Sequence, residues 1–212
     1  MTRQEIKAWA KEKIKGNMWA VLGAILIANL VGNITTAVTV ENEFAAFTLS
    51  IAGGILAFFM EIGLIRYMTN FINSKETSFD MLFSKFKDWK QVIITYLHQF
   101  AMVFLFTLLL VIPGIIKGYG YALVSYILAD NSDIDSKEAL RLSEEMMKGH
   151  KWELFVFGLS FIGWHLLAIL TLGILEIWIM PYQQTATTKF LLDIKENYKP
   201  SASVTDKTAE VI

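Results

Sequence analysis

Long stretches without a charged residue set the pattern of the chain. Residues 16–40 hold 25 positions with no charge, 44–65 are interrupted only by Glu61, 91–116 hold 26 and 154–175 hold 22. A helix needs about 20 predominantly apolar residues to cross the hydrocarbon core of a bilayer. These four stretches are long enough. Two shorter ones, 118–129 and 177–188, have 12 residues each and cross only if their ends reach past a neighbouring charge. Pro113-Gly114 offers a turn before the first of these, and Leu172-Gly173 a looser one before the second. The pattern predicts an all-α fold, a polytopic membrane helical bundle of six transmembrane helices arranged as three hairpins. Spans are expected near 18–40, 44–65, 91–112, 114–129, 152–172 and 174–192, within a membrane domain over 18–199.

Between the spans lie segments with helical amphipathic spacing. Phe79, Leu82, Phe83 and Phe86 follow i, i+3, i+4, i+7, flanked by Lys85, Lys87 and Lys90. Such a helix, near 78–88, is expected to lie in the membrane interface. A second, near 136–148, opens with Asp135-Ser136-Lys137-Glu138, which resembles a capping box, and carries Ala139, Leu142 and Met146 on one face. Ile6, Trp9, Ala10 and Ile14 make a weaker stripe in a basic amphipathic segment over 1–17. These helices are expected to rest on lipid or pack beneath the bundle, with docking of a partner as the other use. Residues 200–212, rich in Ser, Thr, Asp and Glu after Pro200, read as a disordered tail.

The basic residues orient the chain. With a cytoplasmic N-terminus, segments 1–17, 66–90, 130–151 and 189–212 hold 18 of the 19 Lys and Arg, and only Lys117 falls outside. This is the bias of the positive-inside rule. It predicts a multi-pass protein of the plasma membrane with both termini cytoplasmic. A five-span alternative would export Lys189, Lys195 and Lys199. The basic N-terminus resembles a signal n-region, but no A-x-A site follows, so the first span is expected to be a retained anchor.

A unit of about seventy residues recurs in outline. Lys15-Gly16-Asn17-Met18-Trp19 opens the first hairpin and Lys148-Gly149-His150-Lys151-Trp152 the third. Lys87-Asp88-Trp89 opens the second without the glycine. Glycine can take the left-handed conformation that ends a helix. Lysine complements the helix dipole. Trp19, Trp89 and Trp152 are expected as interfacial anchors at the headgroup level.

Composition narrows the chemistry. Apolar residues make up 54% and charged residues only 18%, against about 25% in soluble domains. A net charge of −1 gives no electrostatic basis for binding nucleic acid. The absence of cysteine excludes disulfides and thiolate metal sites. His98, His150 and His165 are widely spaced, and no phosphate loop, nucleophile elbow or dinucleotide fingerprint occurs. No catalytic residue, metal or cofactor is expected, and the chain reads as non-enzymatic.

Ionisable and amide groups inside the spans are the functional candidates, because burying them in lipid is costly. Glu61 lies five residues before Arg66, about 7–8 Å inside the inner boundary. His98 lies nine residues after Trp89, roughly 13 Å from the same side. The two could meet if the second and third spans touch, and a Glu–His pair could pass a proton or bind a cation. Otherwise Glu61 snorkels to the interface or pairs with Arg66. Asn29 and Asn33, one turn apart, could bridge helices or line a polar cavity. Glu61, His98, Asn29 and Asn33 form the candidate intramembrane site. His165 is expected to be packed and hydrogen-bonded, and Glu176 to be wet. Paired glycines such as Gly114 and Gly118 are expected to allow close helix packing.

Three segments carry a family resemblance. They are Ile112-Pro113-Gly114-Ile115-Ile116-Lys117-Gly118-Tyr119, then Tyr126-Ile127-Leu128-Ala129-Asp130-Asn131, and the run from Ser143 through Met146-Met147-Lys148-Gly149-His150-Lys151 to Trp164. Together they resemble the bacterial integral membrane family catalogued as domain of unknown function 975, over essentially the whole chain. The segment from Leu128 through Ala139 to Gly149 also resembles membrane domains attached to some glycerophosphodiester phosphodiesterases, whose catalytic site belongs to a separate soluble domain. The resemblance implies a membrane fold and no established activity or functional residue.

The reading favoured by these features is a non-enzymatic scaffold or accessory factor acting through helix or lipid contacts, with the bilayer and other membrane proteins as partners. The alternative is a small transporter or channel linked to protons or cations. A membrane-embedded enzyme acting on lipid has the least support.

Overall fold

A computed structural model describes residues 1–38, 41–131 and 133–199, apart from the side chains of Thr36, Ala37 and Leu109. The expected tail over 200–212 therefore lies outside the described residues. Helices account for all the regular structure there, with no strand among the described residues. In chain order they are α1 (Arg3–Lys13), α2 (Met18–Gly32), a short 3₁₀ turn (Ile34–Ala37), α3 (Glu43–Ile72), a 3₁₀ helix (Phe79–Asp88), α4 (Trp89–Leu109), α5 (Val111–Gly120), α6 (Val124–Asp130), α7 (Ser136–Met146), α8 (Lys151–Leu159), α9 (Ile162–Leu170) and α10 (Glu176–Asn197).

Among the described residues, four helical segments are long and apolar enough to cross a membrane: Glu43–Ile72, Phe79–Leu108, Val111–Asp130 and Lys151–Leu170. Counting the bent pair Arg3–Lys13 and Met18–Gly32 as one span makes five. The expected sixth span falls in α10, which has the length but not the composition: Glu176, Lys189, Asp193 and the run from Gln183 to Thr188 make it too polar. The break before α5 also sits earlier than expected. Leu110 is extended, at φ −164° and ψ 137°, and Pro113 lies in the first helical turn, where its missing N–H costs nothing.

Burial separates the bundle into two ends. The second half of α3 from Phe58 to Ile72, all of α6 up to Ala129, and the inward faces of α1, α7 and the last half of α10 form one dense core. At the other end Phe44, Phe47, Leu105, Leu108, Ile112, Leu166, Leu170 and Leu172 stand exposed. Apolar exposure on this scale is what a bilayer covers. At 30 residues α3 is ~45 Å long, more than the ~30 Å hydrocarbon thickness, so it joins both ends.

Two of the three amphipathic segments bury their apolar stripes against protein, while Phe79, Phe83 and Phe86 of the third stay exposed beside buried Leu82. Ile6, Ala10 and Ile14 of α1 are buried, and α1 packs on α10. Ala139, Leu142, Ser143 and Met146 of α7 are buried against α4, α5 and α6. Ser143 Oγ donates to the Gly120 carbonyl at 2.9 Å and accepts from the Leu123 N–H at 3.1 Å. Because α7 folds back in this way, Lys117 pairs with Glu144 at 2.6 Å, close to Lys151. The one lysine assigned to the outer side thus meets residues assigned to the inner side. Residues 79–88 form a 3₁₀ helix rather than the expected α-helix. At three residues per turn Leu82 and Lys85 share a face, so this lysine is buried beside Leu82 instead of flanking the apolar stripe.

That 3₁₀ helix lies directly on α3. A Cβ on Gly63 would meet the Leu82 carbonyl oxygen at 2.1 Å, and Phe86 stacks on Phe59 with centroids 4.8 Å apart. Gly114 does the same for α4 and α5: a Cβ there would meet Thr107 Oγ1 at 2.0 Å.

Two of the three recurring junctions share one conformation. Gly16 and Gly149 are both left-handed, at φ 82° and 89°. The N–H of Ile14 reaches the Ala10 carbonyl and that of Asn17 the Ile14 carbonyl. The same bonds recur from Met147 to Ser143 and from His150 to Met147. Trp19 and Trp152 are 72% and 69% exposed. The correspondence extends outward. Helices begin at Arg3, Met18 and Glu43, and again at Ser136, Lys151 and Glu176, in each case 133 residues later. Thr2 and Asp135, the two N-caps, keep the same interval. The second expected unit departs from this: without a glycine, its 3₁₀ helix runs straight into α4 at Trp89. The repeat is therefore α1–α3 and α7–α10, with α4–α6 between.

Gly63→Ala is expected to lower the unfolding midpoint of the detergent-purified protein, since forcing a methyl into a closed contact costs ~1–3 kcal/mol. Gly118→Ala is the control, having nothing within 4 Å of its Cβ position. Equal midpoints for the two variants would remove the close-packing account.

Candidate functional site

A cavity of about 600 Å³ lies where the dense end meets the apolar end. The first repeat unit lines it with Asn29, Gly32 and Asn33 from α2 and Met60, Glu61 and Leu64 from α3. The second contributes Leu154 and Phe157 from α8 and Gln183, Gln184, Thr187 and Leu191 from α10. Tyr119 and Tyr126 come from the intervening helices. The cavity thus sits between the two units.

Among the described residues, Glu61 is the only acidic one that lines it. It has exposed surface although protein surrounds it, because that surface is the cavity wall. One carboxylate oxygen accepts a hydrogen bond from Ser125 Oγ on α6 at 2.9 Å. The next residue, Tyr126, is buried and donates to Thr188 Oγ1 on α10 at 3.4 Å. These two bonds tie α6 to α3 and to α10 on either side of the cavity. The Asn29 Nδ2 donates to the Ile25 carbonyl at 2.8 Å, and the Asn33 Nδ2 to the Asn29 carbonyl at 2.9 Å. Both amides therefore bond back to their own helix.

Of the four candidate residues, Glu61, Asn29 and Asn33 share this cavity and His98 does not. His98 lies on α4 with its Nδ1 2.8 Å from Ser136 Oγ, at the start of α7. The α7 fold-back takes the histidine as a partner and keeps it from Glu61. Glu61 forms no ion pair with Arg66 among the described residues. Trp89 is 53% exposed, with Lys90 Nζ 5.6 Å from its ring centroid.

Sequence reasoning missed Gln183, Gln184 and Thr187. The signal was present: Gln183-Gln184-Thr185-Ala186-Thr187-Thr188 puts five hydrogen-bonding side chains in six residues of an expected span. His165 is hydrogen-bonded, as expected. Its Nε2 lies 2.7 Å from Gln183 Oε1, and its Nδ1 3.2 Å from Glu176 Oε2.

One carboxylate among neutral oxygens and amides can hold a proton or a monovalent cation. A hard divalent ion usually takes several carboxylates, and no cluster of three or more His, Asp or Glu occurs among the described residues. A second cavity of about 330 Å³, at the dense end, is lined by Glu145, His150, Glu153, Asp193 and Tyr198. Several of its charged and polar groups already have partners. His150 pairs with Glu153 at 2.8 Å, Asp193 with Lys189 at 2.7 Å, and the Tyr198 hydroxyl donates to Glu145 at 3.0 Å. Burial pushes the Tyr198 phenol above its ordinary value, and the bond to Glu145 adds to this.

Cysteine is absent from the chain, so single cysteines can report water in the first cavity. Substitutions at Asn29, Asn33 and Gln184 are expected to react with a water-soluble thiosulfonate in membranes. Thr95→Cys, at a position 0% exposed, is expected to be protected. Equal labelling of Asn29→Cys and Thr95→Cys would mean that no aqueous cavity exists.

Residues 90–198, just over half of the chain, match the family described as a protein of unknown function, DUF975. No curated protein and no solved structure matches. The wider likeness to membrane domains of glycerophosphodiester phosphodiesterases finds no support in these comparisons.

Proposed function

Because the chain belongs to the DUF975 family, whose description assigns no activity, we propose from the site itself that it is a small membrane transporter or channel for a proton or monovalent cation, with Glu61 as the binding group. The observation that carries this reading is the convergence of Glu61, Asn29, Asn33, Gln183, Gln184 and Thr187 on one cavity. A lone carboxylate facing a void in an apolar bundle is costly unless water or an ion meets it. Its position between two repeated units supports the same reading, since transporters often bind their cargo at a repeat interface.

In this reading the chain is a non-enzymatic, multi-pass protein of the plasma membrane with six crossings and cytoplasmic termini. The sixth crossing is α10, whose Gln183, Gln184 and Thr187 face the cavity rather than lipid. The distribution of 18 of 19 basic residues supports the orientation. A scaffold acting through its amphipathic helices draws less support. The apolar faces of α1 and α7 are covered by the chain's own helices.

Liposomes carrying the purified protein are expected to pass protons, Na⁺ or K⁺ faster than empty vesicles. Glu61→Gln is expected to cut that flux about tenfold or more, in keeping with the ~1.5–3 kcal/mol of a hydrogen bond to a charged group. Flux that survives in Glu61→Gln, or wild-type vesicles no leakier than empty ones, would end this reading.

A further inference from the structure

His165 is a second ionisable group joined to the cavity through a cavity-lining residue. It stands on α9, between Glu176 and Gln183, which lie two turns apart on α10. Its Nδ1 faces a carboxylate oxygen of Glu176 at 3.2 Å, and its Nε2 faces the Gln183 carbonyl oxygen at 2.7 Å. Both partners are acceptors. A neutral imidazole has only one N–H to give. Both bonds are made at once only when His165 carries two protons and a positive charge. Neutral His165 keeps both only if Gln183 turns its amide over and donates from its nitrogen. The charge on His165 and the orientation of the Gln183 amide are therefore linked.

Gln183 also lines the cavity that holds Glu61. With His165 charged, the Gln183 oxygen is held by the imidazolium and its N–H groups are left for the cavity. With His165 neutral, the amide nitrogen serves the histidine and the carbonyl oxygen is released. A cation is bound by the second arrangement and opposed by the first, in which a positive charge also stands behind Gln183. From this geometry we propose that His165 and Gln183 make proton binding at His165 and cation binding in the Glu61 cavity mutually antagonistic, so that the cargo is a monovalent cation exchanged against a proton. This rests on the reading of the cavity as a cation site.

Polar and charged groups stand on the elements beside α9. From α10 these are Glu176, Gln183 and Tyr182, whose ring meets Phe161 at 5.6 Å. From α1, Lys7 donates to the Ser160 carbonyl at 3.1 Å and lies 4.1 Å from the Phe161 ring centroid, while Lys11 lines a groove beside Trp164 and Trp178. Glu176 is the one carboxylate bonded to the imidazole.

The test is Na⁺ and K⁺ binding to the full chain in nanodiscs, by calorimetry at about pH 5.5 and 7.5, within the range where histidine ordinarily titrates. Wild-type protein is expected to bind one of these ions about fivefold or more weakly at the lower pH, a coupling of ordinary allosteric size. His165→Gln is expected to bind at both pH values with that difference lost, and Glu61→Gln to bind at neither. If His165→Gln keeps the full difference, the coupling falls while the cavity reading stands. If Glu61→Gln binds like the wild type, or the wild type binds neither ion, the cavity reading falls and takes the coupling with it. Should His165→Gln fail to fold, ¹⁵N spectra of the wild-type histidines decide. Adding the ion must move His165 toward its neutral form, because linkage is reciprocal, and an unchanged spectrum overturns the proposal.

Discussion

A carboxylate in the middle of an apolar bundle is expensive unless something meets it, and the arrangement around Glu61 follows from that cost. Ser125 meets one of its oxygens, and the remaining surface opens on a cavity whose mainly apolar lining includes several amides and hydroxyls. The helices that supply them carry polar side chains at a depth where a plain lipid-facing helix would not. These residues, together with Glu176, Lys189 and Asp193, make α10 more polar than the other spans although it has the length of one. Helix α6, which holds Ser125 and Tyr126, is buried along its whole length up to Ala129.

Repetition gives the cavity its walls. The α1–α3 and α7–α10 units keep one interval of 133 residues through two caps, two left-handed glycines and three helix starts. Their side chains diverge where the cavity lies: Asn29 and Glu61 on one unit correspond to no polar partner in the other, at Ile162 and Ile194. The helix starts and caps correspond and the chemistry does not.

The amphipathic segments show how far periodicity reaches. Their apolar stripes were legible: Ile6, Ala10 and Ile14 are buried, and so are Ala139, Leu142 and Met146. What covers them was not legible, since a stripe of this kind looks the same whether lipid or protein lies against it. The 79–88 segment shows a second limit. Its i, i+3, i+4, i+7 spacing fits an α-helix, yet it packs on Gly63 as a 3₁₀ helix, where Lys85 follows Leu82 inward. Likewise the depth of His98 was readable from its distance to Trp89, but its direction was not, and Ser136 of the folded-back α7 takes it.

By itself the sequence determined the helical class, four of the apolar spans, the glycine–tryptophan junctions and the candidates Glu61, Asn29 and Asn33. These depend on local quantities: span length, backbone freedom at glycine, and the cost of a polar group in an apolar run. Only the tertiary structure decided that α7 turns back into the bundle, that Gln183, Gln184 and Thr187 complete the cavity while His98 stays outside, and that His165 touches it through Gln183. Those outcomes depend on which helices lie side by side. Residues far apart in the chain meet there, and no single stretch of sequence records the meeting.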